Sequence, residues 1–77
     1  MLVEGLNVFK ARVPASLIEK TLAEKQIRKK TGCNVIAICS SDSFNINPDP
    51  TVKLKKNEEL ILIGTAKAEK EFKKVFS

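Results

Sequence analysis

Apolar and polar residues alternate over positions 6–13, with Phe9, Ala11 and Val13 on one side beside Asn7 and with Val8, Lys10 and Arg12 on the other. A period of two predicts a half-buried strand, and Pro14, which has no N–H to donate, ends it. Ser16-Leu17-Ile18-Glu19 and Thr21-Leu22-Ala23-Glu24 then both have the Ser/Thr-x-x-Glu form. In that arrangement the hydroxyl and the carboxylate each satisfy a free backbone N–H at a helix start. Two starts five residues apart predict a short first turn followed by a main helix over residues 22–30. Thr31-Gly32 stops it, because Gly readily takes the left-handed conformation of a helix C-terminus, and Lys29 and Lys30 suit the negative end of the helix dipole.

The run Cys33-Asn34-Val35-Ile36-Ala37-Ile38-Cys39 is short and rich in β-branched residues, which predicts a central strand entering a hairpin at Ser40-Ser41-Asp42-Ser43. Phe44 and Ile46 alternate with Asn45 and Asn47 in a short returning strand, and Pro48-Asp49-Pro50 forbids regular pairing. Residues 51–54 resume in extended form, Lys55-Lys56-Asn57-Glu58 turns, and residues 59–64 give the last strand. Thr65 caps a final helix with Ala68, Phe72, Val75 and Phe76 on one apolar face, while Lys67, Lys70, Lys73 and Lys74 solvate the other. The pattern is α+β, a small β-α-β-β-β-α domain with an antiparallel-rich sheet, drawn as a meander with a helix at each end. It forms a single unit over residues 1–77, with residues 1–4 loosely ordered.

Length sharpens this picture. A 77-residue chain has a thin core, and domains of this size gain support from disulfides, a metal or a partner subunit. Metal is set aside, because the chain has no His and its two Cys lie outside zinc spacing. A disulfide between Cys33 and Cys39 fails on geometry: six residues of strand span roughly 20 Å, whereas bridged Cα atoms lie within about 7 Å. The thiols read instead as small buried hydrophobes on one strand face, at home in a reducing cytoplasm. A second copy of the chain is the expected support. No apolar stretch approaches the roughly 20 residues of a membrane span, and no secretory signal opens the chain.

No catalytic set can be assembled. Without His no nucleophile and base pair forms, and the carboxylates are accounted for by capping boxes, turns and an exposed helix. The three Gly residues match no nucleotide-cradling loop. A net charge of +5 favours an anionic partner, yet the Lys residues are spread along the chain as a solvated face. Nucleic acid is not an expected partner, since the chain has two Arg, no Tyr or Trp, and Phe44 alone as a stacking face. A binding or assembly module fits these absences better than an enzyme does.

The run Val13-Pro14-Ala15-Ser16-Leu17-Ile18-Glu19-Lys20-Thr21-Leu22-Ala23-Glu24 resembles the opening of the RCK_C (TrkA-C) family. The similarity continues through Ile27-Arg28, Thr31-Gly32 and Asn34-Val35-Ile36-Ala37-Ile38, then the loop Asn47-Pro48-Asp49-Pro50-Thr51, and finally residues 54–64. Five pieces in the right order cover nearly the whole chain. Glu19 departs from the usual Gly, and Asn57-Glu58 from the usual Gly-Asp.

The resemblance implies a cytoplasmic regulatory domain that pairs with a second copy. It also implies a position after a nucleotide-binding RCK_N domain, in a protein attached to a potassium channel or transporter. The glycine motif of RCK_N is missing, so no cofactor such as NAD or ATP is expected on this chain alone. Some family members bind cyclic di-AMP between two copies, and the resemblance assigns that site to Arg28, Asn34 and Pro50, with Ile27 as an apolar neighbour. Arg offers a charged planar fork to phosphate, Asn an amide to a base or phosphate, and Pro an apolar wall. Each also has a structural role available: Arg28 as a helix-end cation, Asn34 as a strand-edge amide, Pro50 as a strand breaker. The alternative function is a ligand-free assembly module that couples the subunits of a transport protein.

Overall fold

The computed structural model describes residues 5–76, so the expected loose segment at residues 1–4 lies outside the described residues. Four strands, β1 (Asn7–Arg12), β2 (Asn34–Cys39), β3 (Phe44–Ile46) and β4 (Glu59–Gly64), form one antiparallel sheet in the order β1-β4-β2-β3. The helices are α1 (Leu22–Lys25), α2 (Ile27–Thr31) and α3 (Ala66–Val75), with a 3-10 turn at Ala15–Leu17.

The α+β class stands, but the sheet is not a meander. β4 is inserted between β1 and β2 and pairs with both. Its composition explains the place: Leu60 and Leu62 are fully buried on one face and Ile61 and Ile63 half-buried on the other, so this strand is apolar on both sides. β3, followed at once by Pro48 and Pro50, can lie only at an edge. Residues 51–54 make no strand. Lys53 forms an isolated bridge to Thr21, and Leu54, fully buried, exchanges backbone hydrogen bonds with its neighbours across the gap: its N–H donates to Lys20 O at 2.8 Å and its carbonyl accepts from Glu19 N at 2.6 Å.

One face of the sheet carries the core. Phe9 and Ala11 of β1, Leu60 and Leu62 of β4, and Val35 and Ile38 of β2 pack with Leu17, Ile27, Leu54, Phe72 and Phe76. A bulge between Val35 and Ala37 inserts one residue, so Val35 and Ile38 both face the core, three apart rather than two. It overturns one expectation. Cys33 is buried in the core, whereas Cys39 pairs opposite Glu59 and Phe44 on the other face and is only half-buried. Burial pushes the Cys33 thiol above its ordinary pKa, the Thr31 hydrogen bond opposes this, and Glu69 adds to it. It therefore stays neutral and packs as a small hydrophobe.

The helices follow the sequence in part. Thr21 makes the full capping box with Glu24, and Thr65 accepts from Ala68 N at 3.0 Å. Ser16 caps nothing, because the 3-10 turn starts from Pro14, Leu17 N donates to Pro14 O, and Ser16 falls inside the turn. Nor is the main helix continuous. Gln26 (φ 48°, ψ 49°) takes a left-handed backbone and splits it into α1 and α2. In α3, Ala68 and Phe72 are buried, but Val75 is 43% exposed at the last helical position. Phe76, its backbone already out of the helix, turns into the core beside Phe72 instead. Gly64 allows the closest approach between layers, since a Cβ there would lie 3.1 Å from both Ala68 Cβ and Cys33 Sγ.

The two departures from the family pattern coincide with backbone strain. Glu19 has φ 66° and Asn57 φ 72°, so each holds the left-handed conformation that a Gly adopts freely. Asn tolerates it better than Glu does. Glu19→Gly is expected to stabilise the fold by about 1 kcal/mol, because the Lys55 ion pair that it removes is solvent-exposed and such pairs contribute little. Urea midpoints of the two proteins test this, and a lower midpoint for the Gly variant would refute it.

Candidate functional site

Four residues, Leu22–Lys25, separate the Thr21 cap from the break at Gln26, and the chain then turns into α2. α2 is fixed at its far end. Thr31 Oγ1 donates to Ile27 O at 2.7 Å and accepts from Cys33 N at 3.1 Å, and Gly32 (φ 85°) closes the helix into β2. On the other side, the loop after β3 is folded back by Asp49, whose Oδ1 accepts from Thr51 N at 2.8 Å and from Thr51 Oγ1 at 2.7 Å. The Thr51 hydroxyl first, and the Thr51 backbone N–H second, hold this exposed carboxyl below its ordinary pKa. Pro50 O accepts from Ala23 N at 3.0 Å, which ties the loop to α1.

These segments enclose an open cavity of about 500 Å³, within the range of small-molecule sites. Ile27, Arg28, Asn34 and Pro50 all line it. The four residues assigned from sequence are thus brought together by two short helices, the start of β2 and the loop after β3. Arg28, Asn34 and Pro50 are exposed there, whereas Ile27 is buried and supports the cavity from the core. Arg28 has no ion pair among the described residues.

Sequence reasoning missed Gln26, Lys29, Leu22 and Val35, which also line the cavity. Lys29 reads from sequence as a helix-end cation and Val35 as a strand residue, so neither carries a local signal for the cavity. Among the described residues the lining holds two cations, Arg28 and Lys29, and no carboxylate. With amides at Gln26 and Asn34 and apolar walls from Leu22, Val35 and Pro50, the cavity suits an anion with a flat or apolar body. Among the described residues no group of His, Cys, Asp and Glu is placed to hold a metal, and no helix is long and apolar enough to cross a membrane.

The TrkA-C domain model matches residues 8–77. The chain is 24% identical over 75 residues to the ammonium/proton antiporter subunit AmhM of Alkalihalophilus pseudofirmus, covering 97% of this chain and 43% of that protein. Among solved structures it is similar to the GsuK RCK domain, with a TM-score of 0.85 and 39% identity over 95% of this chain and 16% of that one. It is also similar to the RCK C domain of the potassium transport protein KtrA in complex with cyclic di-AMP, with a TM-score of 0.87 and 25% identity over 94% of this chain and 85% of that one. The chain thus spans less than half the length of the curated relative and most of the KtrA RCK C domain.

Proposed function

The chain belongs to the TrkA-C domain family, and from that premise we propose that it is the dimerising, ligand-sensing regulatory domain of a potassium channel or transporter protein. It works at the cytoplasmic face of the membrane, beside an RCK_N domain, and takes cyclic di-AMP in a cleft to which two copies contribute Arg28, Asn34 and Pro50, with Ile27 behind them.

The observation that carries this reading is the convergence of those residues on one cavity whose charged lining, among the described residues, is cationic. The likeness to the KtrA domain, whose structure holds cyclic di-AMP, supports the choice of ligand. Symmetry supports the stoichiometry. A dianion with two equivalent phosphates, bound across a two-fold axis, meets the same groups from each protomer, so one ligand serves two chains. Binding to the folded dimer then stabilises it by mass action, by about 2.7 kcal/mol when ligand is present at a hundred times its Kd.

Calorimetric titration with cyclic di-AMP, run beside sedimentation at tens of micromolar, tests the reading. The expected result is a dimer that binds one ligand per two chains. No heat at high micromolar ligand, or one ligand per chain, would overturn the shared cleft, and a dimer that binds nothing would identify a ligand-free assembly module.

A further inference from the structure

We infer that the open edge of β3 is a second self-association surface, where two copies of this chain join their sheets across a two-fold axis at Asn45, apart from the ligand cleft.

The sheet has two edges, β1 and β3. β1 carries exposed Lys10 and Arg12, charges of the kind that keep an edge from pairing with another chain. β3 has no such guard. The chain is +5 overall, yet no residue from Ser43 to Pro48 is charged, so two copies meet here without like-charge repulsion. Phe44 and Ile46, 65% and 69% exposed, are the most exposed large apolar residues among those described. They stand opposite Cys39 and Ala37, on the sheet face away from Leu60 and Leu62, whereas the residues that the helices bury lie on the core face.

The backbone of β3 fits a copy of itself. Ser40 N–H donates to Ser43 O and Asn47 N–H donates to Ile36 O, each at 3.0 Å. Bonded and unbonded pairs alternate along an antiparallel ladder, so Asn45, opposite Ile38 and midway between these two, is the third bonded position. The N–H and C=O groups of Phe44 and Ile46 therefore point away from β2, into the open edge. Two antiparallel β3 strands in register at Asn45 set Phe44 opposite Ile46 of the partner subunit. Both such pairs exchange both their N–H···O bonds and place an aromatic ring beside a β-branched side chain on each side of the axis. A slip of one residue would oppose Phe44 to Asn45 of the partner subunit, a position whose backbone groups already serve β2. A contact between identical surfaces closes as a dimer.

This pairing is not the ligand cleft. Asn34 lies four residues along β2 from Ile38, the position opposite Asn45. In the joined sheet the two copies of Asn34 stand on opposite sides of the axis, at least about 20 Å apart, too far to share one small dianion.

Sedimentation without ligand, from tens of micromolar into the millimolar range, tests the wild type against Ile46→Lys and Ile46→Pro. Lys guards the edge with charge, and Pro removes an N–H that β2 does not use, which an edge strand tolerates. The wild type is expected to reach twice the mass of either variant, whatever state the cleft sets. Should Ile46→Pro fail to fold, Ile46→Lys carries the comparison. Amide exchange reads the geometry: the Phe44 and Ile46 amides should slow as chain concentration rises, while those of Asn45 and Asn47 are slow throughout. Equal masses at every concentration, or Phe44 and Ile46 amides that stay fast, would overturn the inference. Cyclic di-AMP should bind Ile46→Lys within about twofold of the wild type; its loss there, from a wild type that binds, would place β3 in the cleft and overturn the separation. A wild type that doubles in mass yet gives no heat with cyclic di-AMP supports the β3 surface and overturns the ligand reading alone.

Discussion

Arg28→Ala is expected to lower the affinity for cyclic di-AMP at least a hundredfold. In a shared cleft each ligand meets Arg28 from both protomers, so a single substitution removes two charge-assisted contacts, each worth about 1.5 to 3 kcal/mol. A loss of about 3 kcal/mol already corresponds to more than a hundredfold in Kd. Because Arg28 is exposed and has no ion pair among the described residues, its removal leaves no buried charge unpaired, and the melting temperature without ligand should hardly move. Arg28→Lys should recover part of the affinity, since it keeps the charge and loses the planar fork. Calorimetry on the three proteins decides the matter: a loss below fivefold in Arg28→Ala would remove this side chain from the site.

The second large effect belongs to the fold. Phe72→Ala should cost about 3 to 5 kcal/mol, the range for a buried aromatic residue cut back to a methyl. Phe72 is 2% exposed and joins the two layers, with its ring 6.3 Å from that of Phe9 on β1, edge to face, and 5.5 Å from that of Phe76. Lys70→Ala, on the solvent side of the same helix, should change little. Denaturant unfolding of both variants provides the contrast, and equal small losses would mean that α3 does not close the core.

Much of this fold is legible in the chain because its signals are local. The alternation Leu60-Ile61-Leu62-Ile63, the Thr21 and Thr65 caps and the stop at Gly32 each act within a few residues of where they are read. What escapes is decided at a distance or by a residue with no turn chemistry. Val35-Ile36-Ala37-Ile38 is apolar throughout, so nothing in its pattern marks the bulge that sends Cys39 to the opposite face from Cys33. Gln is an ordinary helix former, so nothing in the pattern marks the left-handed backbone at Gln26. The place of β4 depends on pairings across some fifty residues, which no local window contains. The site divides in the same way. Arg28, Asn34, Pro50 and Ile27 are legible through the resemblance, whereas Lys29 and Gln26 carry no local signal that places them in the cavity wall.

The sheet order also governs how the chain can fold. β1 and β2 share no hydrogen bonds with each other; both wait for β4, which is made last of the four. Until residue 64 is available, only the small β2–β3 hairpin and the first helical turns have their partners, and an isolated two-stranded hairpin is marginal in water. The decisive contacts are therefore long-range, and the entropy of closing the β1–β4 loop must be met before burial of Leu60 and Leu62 offsets it. On the ribosome the sheet stays uncommitted until β4 emerges, and the core is complete only once α3 follows with Phe72 and Phe76.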